Sequence, residues 1–487
     1  MSTIGTPGEH EMVVRGGPSR APSSLVADST PTPTSTTARD DIGDTSPSPA
    51  ISDSNLRACV ICGASFLVVF TACGTLFSFG VYQELYESMA GDPGSPFVGA
   101  SPASIDLIGT LSAAFMTIAA PLATAWTKRF SPRAIIVLGG LLFLLGSLLA
   151  SFSQSLWQFQ LTQGFIMGLG TCFSYLPPVT VSPTWYGRRR GLAMGIILSG
   201  TGVGGLVWAP AIQAINARVG YRNGLRISGA LAAAIIMPSG LAIDWDVTSK
   251  SRIREENARL ASRRGSASSS VSVWRRLWDI PLIDWHVART RKFTAQILGG
   301  TLQAAAYYTP VFFFSAYART LGYSPAAGAN FIAINNACNA IGKIVIGLLA
   351  DRWGRLNALF VTTLISALAS FAFWLPSTLV PSVMSGRGLF ITYSIVYGMF
   401  ASAYVSLFPA SLVETFGPQH FASVNGVFYM ARGLATLVGT PSAGALIRSS
   451  AQVTMPEGYW RTTVLVGSLL AGASAGVWWV RIEKMRS

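Results

Sequence analysis

Charge is scarce in this chain: 11% of its 487 residues are Asp, Glu, Lys or Arg, against about 25% in soluble domains. So little charge cannot cover an aqueous surface. Two or three soluble domains, which the length alone would allow, are therefore excluded. Acidic residues are the scarcer sign, 21 against 35 Lys and Arg, for a net charge of +14. That excess does not point to nucleic acid, because the cations gather in short segments between apolar runs. Histidine is nearly absent, with three in all. No Ser/His/Asp set and no cluster of metal ligands can be assembled, so an enzyme, a metal and a cofactor are not expected. The five cysteines, Cys59, Cys62, Cys73, Cys172 and Cys338, lie inside apolar runs. Cys59 and Cys62 form a C-x-x-C, yet thiol redox or zinc chemistry needs a polar, accessible setting, and they read as small packing residues. Residues 1–55 are rich in Ser, Thr, Pro and Asp and lack the apolar core of a signal peptide, which suits a disordered cytoplasmic tail.

What the chain has instead is apolar runs. Half of it is hydrophobic, mean hydropathy is +0.45, and a span needs about 20 mostly apolar residues. Such runs fall at 58–82, 104–126, 134–152, 156–180, 191–215 and 224–243, then, after a polar interruption, at 293–318, 327–350, 356–376, 388–412, 421–447 and 459–481. The fold expected is an all-α membrane protein of twelve transmembrane helices, six in 56–243 and six in 293–481, with a central loop at 244–292 and a tail at 482–487. Of the 35 cations, 26 fall on one side of such an arrangement and seven on the other. Positive loops stay in the cytoplasm, so both termini and the central loop are expected there. The central loop joins a basic, serine-rich linker to a segment in which Trp and Arg interleave, as at a membrane surface. Ser266–Ser270 beside Arg263 and Arg264 are weak candidates for phosphorylation.

The stretch "GLLADRWGR" at 347–355 resembles the loop between the second and third helices of a six-helix half in the major facilitator superfamily. It lies between the eighth and ninth runs, where that loop belongs. Asp351, Arg352 and Arg355 are then expected to form a conformational latch. The first-half counterpart, "PLATAWTKRFSPR" at 121–133, keeps its basic residues but lacks the aspartate. "SFGVYQELYES" at 78–88, "PTWYGRRRGLAMGIILSGTGVGG" at 183–205, "YTPVFFFSAYARTLGYS" at 308–324, "NACNAIGKIVIGLLADRWGRLN" at 336–357 and "GTPSAGAL" at 439–446 look like the monocarboxylate-porter branch, above all its fungal members. The resemblance implies two six-helix bundles rocking about a site near the membrane midplane. Similar porters carry an aspartate and an arginine four residues apart in the eighth span; here Asn339 and Lys343 hold those positions.

An ionisable group inside a span suggests function by default. Lys343 shares an i, i+3, i+7 stripe with Asn336 and Asn339, so all three face one way. It either points into a substrate site or snorkels to the headgroups, and about 12 Å to the span end is long for the latter. Arg432, on a stripe with Asn425, Tyr429 and Thr436, reads equally as a second anion contact or an interhelical tie. Phe79, Tyr82, Gln83, Tyr175, Gln303, Tyr307, Tyr308, Tyr393, Tyr397 and Tyr404 are further candidates to line an amphipathic, partly aromatic site. No acid lies deep in a span. Glu84, Glu87, Asp106 and Glu414 sit near span ends and read as exposed or gating charges, which leaves a proton as coupling ion open.

Finally, Gly200, Gly202 and Gly205 in "SGTGVGG" at 199–205 fit the dinucleotide spacing G-x-G-x-x-G. The required preceding strand and the acid about 20 residues on are missing. Gly195, Gly200, Gly204 and Gly205 read instead as a small-residue packing seam. The functions weighed are a transporter of small organic solutes such as monocarboxylates, an exporter of a larger secondary metabolite, and a non-transporting sensor. The partners expected are a small-molecule substrate and the lipid bilayer, for a monomer in the plasma membrane.

Overall fold

The computed structural model describes residues 49–186, 190–265, 288–380, 383–416, 421–447 and 455–486. Most of the N-terminal tail, Ser266–Ser270 and all three histidines lie outside the described residues. Helices make up nearly everything described: α1 (Pro49–Phe77), α2 (Phe79–Ser88), α3 (Pro102–Ile118), α4 (Ala120–Arg129), α5 (Pro132–Phe152), α6 (Leu156–Phe159), α7 (Met167–Val181), α8 (Arg190–Ala242) and α9 (Val247–Gly265), followed by α10 (Arg291–Thr320), α11 (Pro325–Trp353), α12 (Arg355–Ala369), α13 (Leu375–Leu379), α14 (Val383–Ala401), α15 (Ala403–Phe416), α16 (Phe421–Ala445) and α17 (Trp460–Met485).

The sequence writes several helix starts plainly. Ser101, Ser131 and Ser324 each precede a proline at the first helical position, and each hydroxyl accepts from the backbone N–H three residues on. A serine cap satisfies a donor left over at a helix start, and proline has no N–H to waste there. Helix ends and bends are equally local. Gly220, at φ 76°, divides α8 into two arms where the runs 191–215 and 224–243 part. Between α3 and α4 the axis bends by 46°. Wide, π-type turns at Gln160–Ile166 and Ser370–Trp374 interrupt two more spans.

Eight helices among the described residues are long and apolar enough to cross a membrane, nine if the bent pair is one span. The kinked α8 enters that count once though it carries two of the twelve runs. α10 and α16 are 30 and 25 residues long but are diluted by Gln, Asn, Thr and Tyr. The apolar runs are thus largely helical, several of them broken over two helices, as 58–82 is over α1 and α2. Leu141, Leu145 and Leu149 on α5, and Ile341, Val345 and Leu348 on α11, are exposed in stripes at helical spacing; lipid is the solvent that suits them.

Helices before and after α9 meet along three lines: α2 with α10, α3 with α16, and α8 with α11. Small residues permit the contact. A methyl group on Gly433 would strike Thr117 and Ala114, and one on Gly202 would overlap the backbone of α11 at Asn336 and Ala340. Of the four glycines expected to form a packing seam, Gly205 faces α11, Gly200 and Gly204 face α1, and Gly195 has no atom within 4 Å of such a methyl. Gly200 closes on Phe66, Gly204 on Phe70 and Gly74, and Gly205 on the Asn336 amide.

Candidate functional site

On α11, Asn336, Asn339 and Lys343 are all buried. Lys343 is 2% exposed, so it does not snorkel. Its ammonium donates to Thr201 Oγ1 on α8 and lies 5.8 Å from the centre of the Phe77 ring on α1. Thr201 can accept because its own proton goes to Leu198 O at 2.9 Å. Asn339 Nδ2 donates to the Tyr307 hydroxyl at 3.4 Å, and Asn336 Nδ2 reaches Phe77 O at 3.5 Å. Both asparagine Oδ1 atoms are buried without a donor.

Arg432, on α16, is the second buried cation. Its guanidinium carbon lies 4.3 Å from the Tyr404 ring centre, 4.9 Å from Phe408 and 5.3 Å from Tyr429, with Tyr175 and Tyr308 also near. Its Nε has no acceptor. Aromatic rings connect the two cations: Tyr307 packs on Phe77 at 6.2 Å, on Tyr308 at 5.0 Å and on Tyr404 at 6.4 Å. Among the described residues neither cation has an ion-pair partner; Asp244, Glu84, Asp351, Glu414 and Glu483 pair with other cations. Ring faces repay part of the desolvation, about 2 kcal/mol at best for each contact. A buried charge usually needs more than that.

The two ends of the molecule differ. At one end Arg319 on α10 pairs with Glu84 on α2 at 2.6 Å, and Phe79 packs edge-on against Phe312 at 5.2 Å, so helices from both sides of α9 are clamped together. Toward the other end α8 and α11 part. Gly195 lies two turns from Gly202 on the same helix face, and Gly347 two turns from Ala340, yet neither glycine has a neighbour within 4 Å. At this splayed end Asp244 pairs with Arg133 at 3.2 Å and Lys250 at 3.0 Å, and its carbonyl accepts from the Trp185 indole at 2.7 Å. Burial alone would raise the Asp244 carboxyl, but the bond from Lys250, the Trp245 N–H and the two cations hold it below the usual carboxylate range. The acid missing from "PLATAWTKRFSPR" is thus supplied from the far end of α8. The second-half latch departs from expectation: Asp351 meets Arg355 of its own loop at 3.9 Å, both exposed, and Arg352 is exposed. The pair joins α11 to α12, and among the described residues no ion pair of the three reaches beyond these two helices.

The major facilitator superfamily profile matches residues 56–397. The chain belongs to that superfamily. Over 429 residues, 88% of each chain, it is 27% identical to the agnestins efflux protein of Paecilomyces divaricatus. It is 24% identical to a transporter of the same superfamily from Aspergillus flavus over 430 residues, again 88% of each. In fold it is similar to the crystal structure of an aspartate-to-alanine mutant of the nucleoside transporter NupG. That match has a TM-score of 0.61 at 14% identity and covers 87% of this chain and 99% of the other. As a member of the superfamily the chain is an all-α, multi-pass membrane transporter and not an enzyme.

Within this transporter fold the expected site residues divide. Lys343, Asn339, Asn336, Tyr307, Tyr429 and Arg432 come together, joined by Tyr175, Tyr308 and Tyr404. Tyr82 turns into the first set of helices, where its hydroxyl meets Ser228 at 3.4 Å beside a cavity of about 30 Å³, room for one water. Gln83 lies at the clamped end, its amide on Glu87. Gln303 accepts from Thr363 at 3.1 Å and Tyr397 donates to Tyr307 O at 2.9 Å; both are ties within the second set of helices. Sequence reading missed Thr201 and Phe77. Thr201 had a signal, as the hydroxyl set among the glycines of "SGTGVGG"; Phe77 had none. Of the acids near span ends, read as exposed or gating charges, two are not exposed. Asp106 is fully buried and Glu84 is buried in its ion pair.

Proposed function

We propose that this transporter moves an amphipathic organic anion, a carboxylate joined to an aromatic or otherwise apolar body, by alternating access. The observation that carries the reading is the pair of buried cations, Lys343 and Arg432, held among tyrosines without an acid. A carboxylate would take over the Lys343 bond from Thr201, fill the empty acceptor need at Arg432 Nε, and lay its apolar body on Tyr307, Tyr308 and Tyr404. Because the Lys343–Thr201 bond crosses from α11 to α8, exchanging it for a substrate bond alters the contact between the two moving bodies, residues 56–243 and 293–481. The resemblance to monocarboxylate porters supports a carboxylate. Asn339, standing where such porters have an acid, cannot carry a proton.

Export is the direction we favour, since one relative is named as an efflux protein. The excess of cations in the segments expected on the splayed side supports reading that side as cytoplasmic, and the arrangement as an inward-facing state is our reading, in a protein we assign to the plasma membrane. The exposed Asp351, Arg352 and Arg355 then engage in the opposite state. Inside-out vesicles bearing the chain, offered a panel of labelled aromatic and aliphatic carboxylates, test this. Accumulation of at least one acid above empty vesicles, lost in Lys343→Met, is expected. No accumulation of any acid, or equal accumulation by the variant, would overturn it.

A further inference from the structure

The clamped end holds a group of carboxyls that the substrate reading does not use. Asp106, on α3, is 0% exposed. Its Oδ2 accepts from Thr110 at 2.9 Å, while its Oδ1 has no donor. Facing it is Glu87 on α2, within electrostatic reach. Between them lies Gln83, also 0% exposed. Its Nε2 donates to Glu87 Oε1 at 2.5 Å and to Pro102 O, on the turn that carries Asp106, at 3.3 Å. Its Oε1 is buried without a donor.

Hydrogen-bond bookkeeping therefore shows a shortage of donors: two buried oxygens, Asp106 Oδ1 and Gln83 Oε1, point at nothing able to give a proton. The charge balance shows a matching excess. Of Glu84, Glu87 and Asp106, only Glu84 has a cation, Arg319 at 2.6 Å, and no ion pair reaches Glu87 or Asp106 among the described residues. The other titratable groups on the elements packed here are Asp92 after α2, Glu457 and Arg461 flanking Tyr459, Arg432 on α16, Cys172 on α7 and a set of phenols. Tyr86 donates to Gln163 at 2.9 Å, Tyr317 meets Ser377 at 2.7 Å, Tyr82 meets Ser228 at 3.4 Å, and Tyr459 lies near Glu87. No group of three metal-ligating side chains occurs among the described residues.

We infer that Asp106, Glu87 and Gln83 form a proton-binding site at the outer gate, and that holding a proton there keeps the gate shut. One proton on Asp106 or Glu87 removes one negative charge from the pair and turns an acceptor into an O–H donor for an orphaned oxygen. Without it, the buried Asp106 carboxylate and the half-buried Glu87 carboxylate repel and the orphans persist until α2 and α10 part and water supplies the donors. The shut state binds the proton more tightly, so alkaline pH shifts the population toward the open gate, by up to about tenfold per pH unit for one proton. The site rests on the reading that this chain works by alternating access. It lies apart from Lys343 and Arg432.

The test uses the full chain in nanodiscs, with labels at Ser88→Cys and Thr320→Cys in a background where Cys59, Cys62 and Cys338 are serine. The distance between labels is followed from about pH 5 to about pH 9 with no substrate added. Wild type is expected to lengthen as pH rises. Asp106→Asn and, independently, Glu87→Gln supply an amide donor and no charge, and are expected to stay short throughout. Glu84→Gln is expected to loosen the gate yet keep its pH response. A wild type that ignores pH, both neutralised variants responding like wild type, or a response to sodium at fixed pH in place of protons would overturn the assignment. Should Asp106→Asn fail to fold, Glu87→Gln, at a partly exposed position, decides alone. Loss of this response would leave carboxylate binding at Lys343 untouched, so the two readings fail separately.

Discussion

In the function proposed above, Lys343 and Arg432 are the residues on which substrate recognition turns. A cation held by a hydroxyl and ring faces is under-compensated, so removing it relieves desolvation even as it removes binding. Lys343→Met, which keeps the stem, is expected to weaken carboxylate binding at least tenfold, about 1.4 kcal/mol, with melting temperature unchanged or raised; titration calorimetry and a thermal melt check both. A stripe of Asn336, Asn339 and Lys343 was readable from spacing alone, because a helix fixes which side chains share a face. Their partners were not, since contacts across helices depend on register between elements far apart in sequence. Asp106 was misread for a related reason. It sits early in its run, where an acid is ordinarily wet. Here, however, the segment after α2 folds back, with Phe97 stacked on Tyr86 at 4.2 Å, and seals the end. Hydropathy has no sight of that cover.

Helices and their seams follow a simpler rule. The serine-proline starts, the break at Gly220 and the small residues of α8 were all written locally and produced the elements where the pattern put them. Gly195 fails as a seam residue because α8 has already left its neighbours at that level, which only the relative tilt of two helices decides. The contrast is testable. Gly204→Leu, whose added carbons would overlap Phe70 and Gly74, is expected to lose about 1–3 kcal/mol of stability or more. Gly195→Ala is expected to hold or gain, since alanine favours a helix by up to about 1 kcal/mol. Thermal melts followed by size-exclusion chromatography read both. The Asp244 cluster has its own signature. A depressed carboxyl contributes stability above its ordinary range, about pH 3.9, and loses it as pH falls through the folded value. Asp244→Asn is thus expected to lower the melting temperature at neutral pH, with the difference from wild type shrinking as the sample is acidified below about pH 4.

Taken whole, the molecule is clamped at Glu84 and Arg319, closed around two cations in the middle, and parted between α8 and α11 at the far end. Those three levels are what a rocking transporter needs: a gate, a site bridging the moving bodies, and a way out. If the Glu84–Arg319 contact is a gate, a disulfide between Glu84→Cys and Arg319→Cys should abolish transport, and reduction should restore it. The claim beneath the whole account is that buried, unpaired positive charge selects the substrate. It is tested most directly by titrating the purified chain with an aromatic carboxylate and with its methyl ester. Binding of the acid at least about tenfold tighter than the ester, with the preference erased in a Lys343→Met, Arg432→Met double variant, is the result predicted. Equal binding of acid and ester by the wild type, or an undiminished preference in the double variant, would contradict it.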